Sequence, residues 1–411
     1  MHLTKRRHIQ LYEHDTIRVG DVRNEHVFTE TDWNHLLQLN ENQYPPYLQP
    51  IHRGIRTLNY VGLIQLPDLC LEILPKTDRH EASQHRHLLL ELLYRSKKIP
   101  AIRQLNCLGL HEGSLTDHFL FQFLEETEKL CSKGLVKKYS RETSNFSRYR
   151  GRMVVREQIR HNHSHKERVF AEYQAYDKNH LLHHLLRQAL CEVPQLSNHR
   201  EVIHRSRQLL DNFQDSNIRY TRKRKIRLTR QDQHYTQAIG WASLILDKMV
   251  PGTIPGTLNC SAFLFDMQQL FEEVVTQEIS AAAQKKGHQL MIQPRRDFWR
   301  KRKIQPDMHL ETSDGESIIL DTKWKILDNQ QPNEADLKQM YIYNRFFQAK
   351  RGVLIYPGTS GLGHFKETYT PHDKDTLSCE VVFANLWNRE KNTFNTKLGE
   401  EMISQILKRA T

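Results

Sequence analysis

Residues 303–326, KIQPDMHLETSDGESIILDTKWKI, place Asp307, Asp321 and Lys323 at the ends of two short apolar runs. Carboxylates beside a phosphate repel it unless a cation lies between them, and two carboxylates sharing one small volume drive a pKa upward. A Mg2+ ion held through oxygen removes that penalty and leaves positions open for water and a phosphate oxygen. Lys323 beside such an ion would position a nucleophile or neutralise developing charge, so the set suits hydrolysis of a phosphodiester. Gln339 and Tyr343 stand four residues apart in the next periodic stretch, share a face if it is helical, and suit donors that orient a metal-bound water or a phosphate. Upstream, Glu272 and Glu273 fall in another helical stretch, and one of them could add a carboxylate. Aspartates and DxK triplets are common, so an ordinary hairpin with solvated charges has the same signature.

For these residues to meet, Asp307 and Asp321 must lie on paired strands joined through the turn TSDGES, with Asp321 and Lys323 on one face and Ile318 and Leu320 on the other. The stretches KIQPDMHLE, SIILDTKWK, RGVLIYP and EVVFANL read as strands; FLFDMQQLFEEVVTQEISAAAQK and NEADLKQMYIYNRFFQAK read as helices. The fold class is therefore α/β and multidomain, with a mixed sheet flanked by helices over residues 255–411. Residues 1–78 carry short alternating runs such as TIRVGDV and LNYVGLIQLPDLCLEILPK, broken by Gly, Pro and Asn, the pattern of a β-rich domain. Residues 79–254 are mainly helical: Leu88, Leu89, Leu92 and Leu93 share one face, and helices resume at KNHLLHHLLRQALCEV and end near WASLILDKM, before the turn-rich VPGTIPGTLN. Between those helices the period is lost at about 132–175, where long polar stretches flank RMVVREQI, which predicts a protruding arm.

The 411 residues exceed one ordinary core, and 38% hydrophobic against 26% charged residues argues against wholesale disorder. A formal charge of +12, before any contribution from 24 histidines, favours a polyanionic partner, nucleic acid first and an acidic protein or membrane surface second. No stretch approaches the roughly 18 to 20 apolar residues that cross a bilayer, and the start lacks the apolar core of a signal peptide, so the expected location is cytoplasmic with no membrane partner. Cys70, Cys107, Cys131, Cys191, Cys260 and Cys379 form no CxxC pair, which points to reduced thiols rather than a disulfide framework or zinc knuckle.

The ordered set of a helix Glu, PD, DTK and QMYIY resembles the PD-(D/E)xK nuclease superfamily, with the QxxxY motif of its RecB-like branch. LEILPK, LLLELLY, YRGRMVVREQI, AYDKNHLLHHLLRQAL, SAFLFDMQQLFEEVV and GVLIYP follow in an order that looks like the McrC family, nuclease subunits of McrBC-type, 5-methylcytosine-dependent restriction systems, over most of residues 55–360. The N-terminal β region is longer here than in short members of that family. The resemblance implies a Mg2+-dependent endonuclease domain acting on double-stranded DNA, with Asp307, Asp321, Lys323, Gln339 and Tyr343 catalytic and the ion held by Asp307, Asp321, Thr322 and Glu272. It also implies a McrB-like AAA+ GTPase ring as partner, into which the arm inserts to stimulate hydrolysis. GTP would bind that ring and not this chain, which has no GxxxxGK[ST]. Two other readings stay open: a non-catalytic regulator of an AAA+ motor, and a RecB-like nuclease of DNA repair or other antiphage defence.

RRDFWRKRK, just ahead of Asp307, interleaves Phe298 and Trp299 with Arg295, Arg296, Arg300, Lys301, Arg302 and Lys303, and suits phosphate attraction with stacking or wedging of DNA. A solvated charge run with a buried Trp has the same composition. The basic 219–230 is either a DNA-guiding or partner-facing surface or a plain exposed strand. His161, His163 and His165 alternate as metal ligands on a strand would, or simply belong to a polar loop. His80 and His85 are five apart, which excludes the HExxH helix face, and His183 and His184 read as helix surface and boundary residues. No GxSxG elbow and no poised Cys suggests another nucleophile.

Overall fold

The computed structural model describes residues 7–41, 46–76, 82–100, 114–213, 228–249, 260–327, 331–358, 365–369, 376–388 and 393–408. His80, Cys107, most of the basic 219–230 and VPGTIPGTLN lie outside the described residues. The chain divides into two compact units that are discontinuous in sequence: 1–7, 65–68 and 100–262 form one, and 8–64, 69–99 and 263–411 the other. No described helix is long and apolar enough to cross a membrane. The described cysteines are all free.

In the first unit the helices Leu115–Lys133, Leu181–Leu196, Arg200–Leu210 and Thr236–Leu244 pack on one another around Phe119, Phe123, Leu186, Leu190 and Trp241, all fully buried. Ser114 starts the first of them through a reciprocal capping box with Asp117. His183 and His184 are buried at 1% and 3% exposure, a correction to their reading as surface and boundary residues. The ring nitrogens explain why burial is tolerated. His183 Nδ1 meets Lys178 O at 2.7 Å and its Nε2 meets Tyr235 Oη at 2.9 Å, while His184 Nε2 meets Asn179 Oδ1 at 2.6 Å. Burial, with the neighbouring His180 second, pushes the His183 pKa down to about 3, so the ring stays neutral.

Residues 138–177, most of the span read as an arm, form an antiparallel ribbon of Lys138–Phe146 and Val169–Asp177, extended by Arg152–Met153 and followed by the short helix Val155–His161. Gly151, at φ +81°, opens the third strand where a Cβ would lie 2.1 Å from Glu172 O, so no other residue fits there.

The second unit holds the predicted mixed sheet. Its strands are β1 (Gln289–Ile292), β2 (Met308–Glu311), β3 (Ser317–Thr322), β4 (Arg351–Pro357), β5 (Phe365–Thr368) and β6 (Ser378–Ala384), in the order β1-β2-β3-β4-β6-β5. β3 runs parallel to β4 and β4 parallel to β6, whereas the other neighbours pair antiparallel. Ile318, Ile319, Leu320, Val353, Leu354 and Ile355 are all fully buried, which is why these central strands read as unbroken apolar runs and not as alternation. Three helices flank the sheet: α1 (Met267–Lys285), α2 (Glu334–Phe347) and α3 (Leu398–Leu407). Met340, Tyr343 and Phe347 of α2 pack on Ile319, Leu354 and Tyr356. Gly352 permits the approach, since a Cβ there would fall 2.5 Å from the Met340 side chain.

The stretch FLFD, read as the start of α1, is strand: Ser261–Asp266 joins a four-stranded sheet with Arg7–Tyr12, Leu69–Leu74 and Tyr60–Gln65. Asp266 then caps α1 by accepting from Gln269 N–H at 3.2 Å, so the helix begins one residue later. Within the N-terminal β region a helix, Glu30–Glu41, also appears, capped by Thr29 and Asp32.

Candidate active site

The pairing of β2 with β3 sets the site. Met308 lies opposite Leu320 in antiparallel register, so one step further brings Asp307 opposite Asp321. Asp307 Oδ2 accepts from the Thr322 backbone N–H and from its hydroxyl, both at 2.7 Å. Asp321 is 3% exposed, and its Oδ2 lies 2.7 Å from Lys323 Nζ. Apart from that ion pair, this oxygen has no hydrogen-bond partner among the described residues. Lys323 N–H donates to Ile355 O at 2.8 Å, which carries the extended chain one residue past β3 and turns the lysine toward Asp321.

A relay of side chains then fixes the ammonium. Lys323 Nζ donates to Gln339 Oε1 at 2.9 Å, Gln339 Nε2 donates to Tyr343 Oη at 2.7 Å, and the Tyr343 hydroxyl donates to Gln305 O at 3.1 Å. The i, i+4 spacing of Gln339 and Tyr343 on α2 makes this possible. Asn333 caps α2 by accepting from Asp336 N–H at 2.8 Å. Asp336 is held in turn by Lys325 Nζ at 3.0 Å and by the Tyr356 hydroxyl at 3.0 Å.

Burial, followed by the charge of Asp307, pushes the Asp321 pKa up to about 7 against the pull of Lys323. Burial works to lower the Lys323 pKa, but Asp321 outweighs it and the ammonium is favoured. Glu272 is also raised, first by burial and then by Asp307. Its Oε1 accepts from Gln293 Nε2 at 2.8 Å, and Gln293 N–H donates to Asp307 O at 2.8 Å, so Gln293 bridges the two acids. Glu273 instead pairs with Lys98 Nζ at 2.9 Å. Of the two glutamates, Glu272 is the one that feels the site.

Facing carboxylates that repel, one of them with a buried oxygen satisfied only by a lysine, fit a hard divalent cation. Among the described residues no three His, Cys, Asp or Glu side chains are gathered closely enough to hold an ion by themselves. Asp307 and Asp321 would supply two ligands, and the rest would fall to water or substrate oxygens.

The basic stretch forms a hairpin of Arg296–Trp299 and Arg302–Ile304, with Arg300 at φ +51° in the turn. Trp299 is 65% exposed and therefore not buried among the charges. Arg300, Lys301 and Arg302 are exposed without an ion-pair partner among the described residues, while Lys303 lies 3.9 Å from Asp297. The hairpin is tied to the site at its base: Arg295 Nε donates to Gln305 Oε1 at 2.8 Å, and Arg296 Nη1 donates to Phe346 O at 2.7 Å. His161 and His165 are not gathered as ligands; each pairs with a glutamate, Glu157 at 3.2 Å and Glu167 at 3.0 Å. Gln268, Gln293 and Gln305 do not stand out in the sequence, because lone amides carry no periodic or motif signal.

The family model described as "McrBC 5-methylcytosine restriction system component" matches residues 55–357. The fold is similar to a chain of the Thermococcus gammatolerans assembly described as McrB AAA+ hexamers with bound McrC, with a TM-score of 0.75 at 16% identity over 97% of this chain and 100% of that one. A chain of the Thermococcus gammatolerans McrBC complex is similar at a TM-score of 0.51 and 17% identity, over 65% of this chain and 85% of that one. No curated protein matches the sequence.

Proposed function

The chain belongs to the McrBC 5-methylcytosine restriction system component family, and from that premise we propose that it is the DNA-cleaving, McrC-like subunit of a modification-dependent restriction system. The observation that carries this reading is the meeting of Asp307, Asp321 and Lys323 at the ends of two paired inner strands of a mixed sheet, with the ammonium 2.7 Å from one acid. Asp307 and Asp321, with Glu272 and Thr322 beside them, would hold a divalent ion, Mg2+ in this reading, which would supply Lewis-acid polarisation of the scissile phosphate and acidification of a water. Lys323 neutralises charge that develops on the phosphate, and Gln339 and Tyr343 keep its side chain from swinging away. Arg295, Arg296, Arg300, Lys301, Arg302 and Lys303 hold the phosphate backbone of double-stranded DNA, with Trp299 available to stack. The similar assembly contains McrB AAA+ hexamers with bound McrC, which supports a GTP-binding AAA+ ring as this chain's partner.

Reconstitution with the ring tests the proposal. Plasmid DNA carrying 5-methylcytosine should be cut when the chain, the ring, GTP and Mg2+ are all present, and spared when any one is left out. GTP hydrolysis stimulated with no cutting of modified DNA would instead assign the chain a regulatory role.

A further inference from the structure

Gln268 and Glu13 belong to none of the roles above, yet Gln268 holds the backbone that carries Lys323 and Glu13 holds the side chain of the residue after it. β2 begins at Met308, so among the described residues the chain beyond Asp321 has no strand paired with it on that side. Side chains take the strand's place. Asp307 accepts the Thr322 N–H, and Gln268, in the first turn of α1, donates from Nε2 to Thr322 O at 2.8 Å and accepts at Oε1 from Trp324 N–H at 2.7 Å. One amide thus satisfies the backbone on both sides of Lys323, as a neighbouring strand would.

The next residue is held from the N-terminal region of the same unit. Trp324 Nε1 donates to Glu13 Oε2 at 2.9 Å, an oxygen that also accepts from Lys76 N–H at 3.0 Å. The indole packs on Phe271 of α1 with centroids 5.4 Å apart. Glu13 is 1% exposed, and its Oε1 has no hydrogen-bond partner among the described residues. Keeping a carboxyl in such a place opposes folding. An apolar side chain would serve a purely structural contact at lower cost. What Glu13 adds is an acceptor fixed by its own strand's end, where Glu13 N–H donates to Leu74 O at 3.0 Å.

We propose that Gln268 and Glu13 are positioning residues for Lys323, so that the N-terminal β region braces the strand end from which the lysine reaches Asp321. The inference rests on the reading of Lys323 as catalytic. Misplacing a reacting group by about 1 Å costs on the order of 100-fold in rate.

The test uses the full chain in complex with its ring and measures kcat and KM for methylated DNA alongside GTP hydrolysis. Gln268→Ala and Glu13→Ala should each lower kcat about 10- to 100-fold with KM and GTP hydrolysis unchanged. Glu13→Gln keeps an acceptor oxygen and should stay within about twofold of wild type. Trp324→Phe removes the indole N–H while keeping an aromatic ring, and should reproduce the Glu13→Ala loss even if Glu13→Ala itself folds poorly. In a 1H–15N spectrum, the Trp324 indole resonance, assigned by its disappearance in Trp324→Phe, should move in Glu13→Ala and hold in Glu13→Gln. Wild-type kcat in Trp324→Phe and Gln268→Ala, or a Glu13→Gln as slow as Glu13→Ala, overturns the inference while leaving the site intact. Normal cutting by Lys323→Ala would overturn the reading beneath it as well.

Discussion

In the proposed mechanism Lys323 acts with its ammonium held between Asp321 and Gln339, at 2.7 and 2.9 Å. Four carbons of flexible stem would otherwise let it wander. Gln339→Ala should therefore lower single-turnover cleavage about 10-fold with little change in DNA affinity, because it frees the lysine without touching the carboxylates. Tyr343→Phe should cost less, since it removes only the hydroxyl that links Gln339 to Gln305 O. Equal DNA affinity and equal rate in both variants would show that the relay does not orient the lysine. Asp321 and Lys323, a dyad step apart along a strand, and Gln339 and Tyr343, four residues apart along a helix, were legible from their spacing, and Asp307 from the turn that joins its strand to theirs. Gln268 and Glu13 were not, since their roles depend on backbone groups brought near by the fold and leave no mark in the local pattern.

Among the elements, SIILD and GVLIY were readable as strands, though not as central ones buried on both faces, and α2 showed its helical period plainly. Short and polar elements misled. The helix Glu30–Glu41 has few apolar residues and sits among turn formers, and FLFD continues the apolar character of α1 although Asp266 stops one element and starts the other. His183 and His184 looked like surface residues because a polar ring gives no hint of the hydrogen bonds that await it. The strand Leu69–Leu74 carries another buried polar residue, Glu72, held by Arg86 at 2.7 and 2.9 Å and by His8 at 3.0 Å. Burial alone would raise its pKa, but Arg86 and His8 prevail and bring it down to about 2. A depressed folded pKa means that Glu72 contributes stability above its ordinary value of 4.5, and that this contribution is lost as pH falls through about 2. Glu72→Gln should leave Arg86 buried and poorly paired, lowering unfolding free energy by about 3–5 kcal/mol at neutral pH, with the difference from wild type shrinking in acid. Urea titrations at pH 7 and pH 3 measure both; a difference that grows in acid would contradict the assignment.

For the molecule as a whole, the charge of +12 and the exposed hairpin cations favour a polyanionic partner, and the two facing acids suit the cation proposed above. The division into two units could not be read from the order of segments, because the second unit draws on both ends of the chain. Replacing Arg300, Lys301 and Arg302 together with alanine should weaken DNA binding and flatten its dependence on salt, by about 0.9 in log–log slope for each phosphate that is no longer neutralised. An unchanged slope would place the DNA elsewhere. Whether Asp307, Asp321 and Lys323 cut DNA is decided most directly by removing each in turn. Asp307→Ala, Asp321→Ala and Lys323→Ala, each assembled with the ring on methylated DNA in Mg2+, should abolish cleavage while GTP hydrolysis is still stimulated; cutting at the wild-type rate by all three would contradict the assignment of these residues as the catalytic centre.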